Sequence, residues 1–193
     1  MRKKKAGLTF YEPEKKVNPT IFSEIFTCLV IMVIAAFIAV VGVYFFGMTT
    51  GVVGSSMEPT LYSGQKVLVN RFAYALLVPK RGDVVVFLPR GNEKSHYYVK
   101  RIVAGPGDKI QIQDGVLYIN GEVSNLITKI IENPGIAENQ ITLKNGEYFC
   151  IGDNPLDGED SRQADIGPVA KADIIGKVWF RLDMEDIAKG FVH

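Results

Sequence analysis

Ile25-Phe-Thr-Cys-Leu-Val-Ile-Met-Val-Ile-Ala-Ala-Phe-Ile-Ala-Val-Val-Gly-Val-Tyr-Phe-Phe-Gly-Met48 runs for 24 residues without a charged side chain. As a helix it measures about 36 Å, enough to cross a hydrocarbon core of roughly 30 Å with some tilt. The other reading of such a run is a buried core helix, but little else in a chain of 193 residues could surround it. A cleaved signal peptide has a shorter apolar core, roughly 7–15 residues, followed by a small-residue cleavage site. The run therefore reads as a retained signal anchor. It divides the chain into a basic tail over 1–20, a transmembrane segment over 21–48 and an outer domain over 49–193.

Charge gives the expected orientation. Arg2, Lys3, Lys4, Lys5, Lys15 and Lys16 precede the run, whereas no Lys or Arg occurs from Thr49 to Gln65. The positive-inside rule then places the N-terminus in the cytoplasm and everything after residue 48 outside, on a cell membrane crossed once. Tyr44, Phe45 and Phe46 fall where aromatic rings favour the outer interface. A net charge of +1 offers no electrostatic case for a nucleic-acid partner. Cys28 lies in the anchor and Cys150 in the outer domain, so no intramolecular disulfide is expected. The 145 residues after Met48 are enough to bury a core without one.

Those residues read as mostly β. Strands are expected at Val67–Asn70, Asp83–Leu88, Tyr97–Val103, Ile110–Gln113, Val116–Ile119, Glu147–Ile151 and Ile174–Arg181, with a short helix at Met184–Lys189. Asp83–Leu88 is nearly continuous apolar sequence, as in a strand buried on both faces. Asp114-Gly115 is a two-residue hairpin signal, and Asn120-Gly121 a second turn. Short strands with Gly-rich turns point to antiparallel sheets packed together or to a partly closed barrel. Phe72–Pro79 is apolar without alternation. It is either a core element or a surface that dips into the outer leaflet.

Four blocks bear on chemistry. Gly54-Ser-Ser-Met-Glu-Pro-Thr-Leu61 follows the anchor closely, and its composition suits a linker as well as an exposed serine loop. Tyr97-Tyr-Val-Lys-Arg-Ile-Val103 sets Lys100 within an apolar strand. If Lys100 points inward, burial disfavours its charged form. Moving it from about 10.4 towards 7 takes roughly 4–5 kcal/mol. A neutral amine beside a serine can act as a general base. Gly105-Pro-Gly-Asp108 is a turn. Gly152-Asp-Asn154 and Asp160-Ser-Arg162 bracket a polar loop whose spacing does not match an EF-hand, so no metal is expected. Asp160 has two candidate partners, Arg162 and Arg101. Arg81-Gly82-Asp83 reads as a strand-entry turn.

These blocks, in this order behind one anchor, resemble bacterial type I signal peptidases of the compact, Gram-positive kind. The resemblance rests on Ser56-Met57-x-Pro59-Thr60-Leu61, Tyr98-Val99-Lys100-Arg101, Pro106-Gly107-Asp108, Arg81–Phe87, Gly152-Asp153-Asn154 and Asp160-Ser161-Arg162. It covers the anchor and nearly all of the outer domain. It implies a signal-peptidase-like β fold and a membrane-bound serine endopeptidase. Its substrates would be exported preproteins, cut after small residues of the Ala-x-Ala pattern, with membrane lipid as its setting and no cofactor. Ser56 would be the nucleophile, with its backbone N–H in the oxyanion hole, and Lys100 the general base. Val52, Val53, Met57, Leu61, Tyr98 and Val99 would shape small apolar pockets. Arg101, Asp153, Asn154, Asp160 and Arg162 would support the site without doing chemistry.

Two positions depart from the pattern. Many relatives carry a hydroxyl two residues before the nucleophile, where this chain has Gly54. Many also carry a serine that hydrogen-bonds the lysine, where this chain has Gly158. Other functions fit less well. A Ser-His-Asp hydrolase would have to use His96 or His193, and His96 reads as a solvated strand residue. A self-cleaving repressor with the same Ser/Lys pair would carry a DNA-binding domain where the anchor stands. A non-catalytic β-domain that binds exported chains needs neither Ser56 nor Lys100.

Overall fold

The computed structural model describes residues 19–92, 95–156, 158–182 and 190–192. Most of the basic tail over 1–20 and the helix expected at Met184–Lys189 lie outside the described residues. The chain divides into two compact units, 1–41 and 42–193.

Helix α1 spans Pro19–Phe46. Proline opens it at the first helical position, where its missing N–H leaves no hydrogen bond unmade and its φ is already helical. Its side chains are predominantly apolar on all sides, with Glu24 the charged one among them, and large ones such as Phe22, Val33 and Phe37 are exposed. Ile21–Tyr44 is long and apolar enough to cross a membrane. The helix closes with the Gly47 N–H on the Val43 carbonyl at 2.8 Å.

The second unit is built on antiparallel strands. In chain order they are β1 (Met48–Gly51), β2 (Lys66–Asn70), β3 (Val84–Phe87), β4 (Tyr98–Ala104), β5 (Lys109–Gln113), β6 (Val116–Ile119), β7 (Glu122–Val123), β8 (Ile141–Thr142), β9 (Glu147–Ile151), β10 (Val169–Ala170), β11 (Ile174–Arg181) and β12 (Gly190–Phe191). The larger sheet runs β1-β2-β11-β3-β4-β9-β10, with β12 also on β11, and the smaller runs β7-β6-β5-β8. The seven strands expected from the sequence are all present, with ends shifted by a residue or so. The additional strands β7, β8, β10 and β12 have two residues each, too few to show alternation. The short strand β1 starts at Met48, straight after the helix.

Local chemistry explains the turns. Asp114 (φ 48°) and Asn120 (φ 56°) both lie in the left-handed region, followed by glycines with positive φ. These are the two-residue turns that match strand twist, and they join β5 to β6 and β6 to β7. The Arg81-Gly82-Asp83 turn leads into β3. There the Asp83 carboxylate accepts from Tyr74 Oη at 2.9 Å, the Lys80 N–H at 3.0 Å and Lys177 Nζ at 2.6 Å. Burial first, then the Asp83 charge, pushes the Tyr74 phenol far above its usual range.

The apolar stretch 72–79 divides its roles. Asn70 Oδ1 accepts the N–H groups of Phe72 and Ala73 at 3.0 Å, starting a single helical turn, α2 (Ala73–Leu76). Tyr74 is buried in the core, while Leu76, Leu77 and Val78 are exposed.

Strand β4 knits the core together. It contributes Val103 and Ala104 to the cluster with Ile110, Leu117 and Phe149. It places Val99 against Val52, Met57, Leu61, Val84 and Val86. It also packs Ile102 and Tyr98 against Val85, Phe87 and Tyr148. Strand β3 beside it is buried at every position, as its continuous apolar sequence implies.

Candidate active site

Strand β4 positions the lysine. It pairs with β3 over Tyr98–Arg101, with Lys100 opposite Val85, but meets β9 only from Arg101 onward. Among the described residues no strand flanks Tyr98–Lys100 on the β9 side. Both backbone groups of Ile102 bond the turn before β3, its N–H to Asp83 O at 2.9 Å and its C=O from Gly82 N–H at 2.8 Å. By ladder alternation the N–H and C=O of Val99 point the other way, into this gap.

The gap is a cleft of about 210 Å³. It is lined by Val52, Val53, Gly54, Ser56, His96, Tyr97, Tyr98, Val99, Lys100 and Glu159. Ser56 is 6% exposed and Lys100 4%. Of the expected pocket residues, Val52, Val53, Tyr98 and Val99 line this cleft. Met57 and Leu61 do not: both are fully buried and pack in the core with Val52 and Val99. A second cavity, about 730 Å³, has residues next in the chain in its lining. Gly158 lines it and Glu159 lines the cleft.

The loop after β9 holds the serine backbone. The Asn154 N–H donates to Ser56 O at 2.8 Å, and Asn154 Nδ2 donates to Ser55 O at 3.2 Å. Gly152 approaches so closely that a β-carbon there would collide with the Ser56 carbonyl. Asp153 takes a two-pronged bond from Arg101, with Nε and Nη2 each at 2.7 Å, and a hydroxyl bond from Thr60 at 2.5 Å. Arg101 Nη1 reaches Gly82 O at 2.6 Å. One guanidinium thus ties the serine loop, the strand-entry turn and the 152–154 loop together.

Asp160 pairs with Arg162, and Arg101 takes Asp153 instead, which settles the choice left open above. Asp160 accepts Arg162 Nε and Nη2 at 2.8 Å and the Gly152 N–H at 3.3 Å. Ser161 Oγ accepts the Cys150 N–H at 3.0 Å. Burial, and then the Asp160 charge, pushes the Cys150 thiol well above its usual range.

Three participants were not singled out from the sequence. Lys129 Nζ donates to Asn154 Oδ1 at 3.1 Å, Thr60 bridges Arg101 and Asp153, and Glu159 lines the cleft. Lys129 comes from a loop remote in sequence, with no motif around it. Thr60 stood inside the serine block, where its hydroxyl was the available signal. The departure at Gly54 has a local cause: its φ is 80°, where a side chain is strained, and its N–H donates to Ser63 Oγ at 3.2 Å.

A family model for signal peptidases, peptidase S26, matches residues 25–182. The chain belongs to this family. It is therefore a serine endopeptidase of the signal peptidase I class, membrane-anchored, and its N-terminal apolar helix agrees with that. Signal peptidase I T of Bacillus subtilis is 32% identical over 161 residues, 75% of this chain and 78% of that protein. Signal peptidase I P of Bacillus subtilis subsp. natto is 36% identical over 143 residues, 67% of this chain and 75% of that protein. A crystal structure of a signal peptidase I from Enterococcus faecalis, 25% identical, covers 53% of this chain and 97% of its own at a TM-score of 0.40. In this signal peptidase, the matched span contains the whole cleft and the loops that buttress it.

Proposed function

We propose that Ser56 and Lys100 form the catalytic pair and remove signal peptides from exported preproteins after Ala-x-Ala. The observation that carries this reading is the cleft itself. It brings a buried serine and a buried lysine to one cleft, beside the stretch of β4 that β9 does not reach.

An extended peptide can enter such a gap as a short added strand, its main chain bonding to Val99. Alternate side chains would then turn toward the wall formed by Val52, Val53, Tyr98 and Val99, where space is limited and small residues fit. Burial disfavours the ammonium form of Lys100. The neutral amine takes the Ser56 Oγ proton, and Oγ adds to the scissile carbonyl. The Ser56 N–H donates to the developing oxyanion. The protonated Nζ returns its proton to the leaving nitrogen as the C–N bond breaks. The amine then deprotonates a water, which hydrolyses the acyl-serine and frees the enzyme. No metal or cofactor enters any step. Arg101, Asp153, Asn154, Asp160 and Arg162 hold the loops that carry these groups.

In this reading the N-terminus is cytoplasmic and the β unit extracytoplasmic. The exposed Leu76, Leu77 and Val78 suit contact with lipid. Confinement of enzyme and substrate to one bilayer raises their effective concentration.

The test is cleavage of a preprotein ending its signal in Ala-x-Ala, in detergent, by wild type, Ser56→Ala and Lys100→Met. The wild type should cut after the last alanine, and both variants should be inactive with melting temperatures near wild type. Activity retained in Lys100→Met would overturn the pair.

A further inference from the structure

Beside the cleft, β4 presents two faces. Val99 leaves the strand on the face of Val84 and Val86, and packs there with Val52, Met57 and Leu61. Tyr98 leaves it on the opposite face, where Val85 and Phe87 of β3 lie. The His96 ring stacks on Tyr98 with centroids 4.5 Å apart, so it stands on the Tyr98 face as well. Glu159, from the loop after β9, comes to the same place: its Oε2 lies 3.8 Å from His96 Nε2. Among the described residues, Glu159 is the one acidic side chain that lines the cleft.

The two faces accept different side chains. Val52 and Val99 are buried, so their face is apolar and closed. The side chains of Glu159 and His96 are 64% and 63% exposed, so theirs is polar and open to water. A peptide added along β4 turns successive side chains to alternate faces, and each meets the side chains of the strand on its own face. The two small residues of Ala-x-Ala are two positions apart and therefore share a face. Their size suits the closed face of Val52 and Val99. The residue x between them then turns to the open face, towards His96 and Glu159.

Resting on the signal-peptide reading above, we infer that Glu159 is a specificity-determining residue for x. Its carboxylate favours a basic, and disfavours an acidic, side chain at that middle position. Access to water leaves room for side chains of different lengths. It also screens the charge, so the discrimination corresponds to roughly three- to fivefold.

The test uses three preproteins identical except for Lys, Gln or Glu at x, with the full-length enzyme in detergent. The assay is run at about pH 8, where an ordinary imidazole carries no charge. A control pair keeps Gln at x and carries Lys or Glu at the second mature residue. The quantity read is the ratio of kcat/KM for the Lys and Glu substrates within each enzyme. That ratio cancels any general effect of a substitution on the catalytic pair. At x, wild type should prefer Lys roughly three- to fivefold, less so at high salt. Glu159→Gln should bring this ratio near one, and Glu159→Lys should invert it. The ratio for the control pair should be the same in wild type and Glu159→Gln. Equal cutting of the three x substrates by wild type, an unchanged ratio at x in Glu159→Gln, or an equal shift in the control pair overturns the assignment while leaving the signal-peptidase reading intact. Failure of the wild type to cut the substrate with Gln at x overturns that reading, and this inference with it.

Discussion

Asn154 grips the peptide unit of Ser56: its backbone N–H donates to the carbonyl oxygen of Ser56 at 2.8 Å. The serine loop has no regular structure to fix it, so its geometry is borrowed from the loop that leaves β9. The predictions that follow concern how this borrowed geometry is held and what disturbs it.

Gly152→Ala should damage activity far more than stability. The new methyl meets the Ser56 carbonyl and forces the two loops apart. A displacement on the order of 1 Å at a reacting group can cost about 100-fold in rate. The expected result is a fall of about that size in kcat, with a melting temperature only a few degrees lower. Steady-state kinetics and thermal unfolding measure both.

Lys129 decides which way the Asn154 amide faces. An ammonium group only donates, so it holds Oδ1 and leaves Nδ2 for the Ser55 carbonyl. Lys129→Met keeps the aliphatic stem and removes that preference. It should lower kcat by up to about tenfold with little change in KM. Lys129→Arg should restore most of the loss, which a purely packing role for the stem would not predict.

Arg101 and Asp153 have side chains only 10% and 9% exposed. Arg101→Met leaves the carboxylate with Thr60 as its side-chain donor among the described residues, and should cost about 3–5 kcal/mol of stability. Arg101→Met with Asp153→Leu should cost less than the sum of the two single changes, because neither charge is left behind. Urea denaturation of the four proteins checks this.

Asp108 contributes a pH-dependent part of the stability. Burial alone would raise its carboxyl pKa. The Arg81 hydrogen bond, the Gly105 N–H at 2.8 Å, Asn120 at 3.1 Å and the Arg81 charge outweigh burial and hold it below the usual carboxylate value. Since the folded form is the more acidic, this stability is complete above the unfolded pKa of about 3.9 and is lost as pH falls through the lower folded value. Asp108→Asn should therefore flatten the acid limb of a stability-versus-pH curve, leaving a constant loss at neutral pH. Melting temperatures across that range decide it.

The sequence was most legible where a pattern repeats over several residues. Strands β3, β5, β6, β9 and β11 follow from apolar runs and alternation, and the two hairpin turns from Asp114-Gly115 and Asn120-Gly121. What escaped was set by partners distant in the chain. The choice of Asp153 over Asp160 for Arg101 depends on how β4 meets β9, and nothing in the sequence around residue 101 encodes that. Lys129 escaped for the same reason. Met57 and Leu61 carry the motif, but their depth in the core depends on β2 and β3 packing beneath the serine loop. The stretch 72–79 was ambiguous because it does two things at once, burying Tyr74 while exposing Leu76 to Val78.

The interrupted pairing of β4 also bears on how this protein avoids sticking to its own kind. An exposed strand edge is a template for any passing chain, and long bare edges drive aggregation. Here the stretch of β4 beyond the reach of β9 is confined to Tyr98–Lys100, and the cleft beside it is lined by Val52–Gly54. So brief an opening suits a single extended chain better than the edge of another sheet, and a protein emerging across a membrane is in that condition.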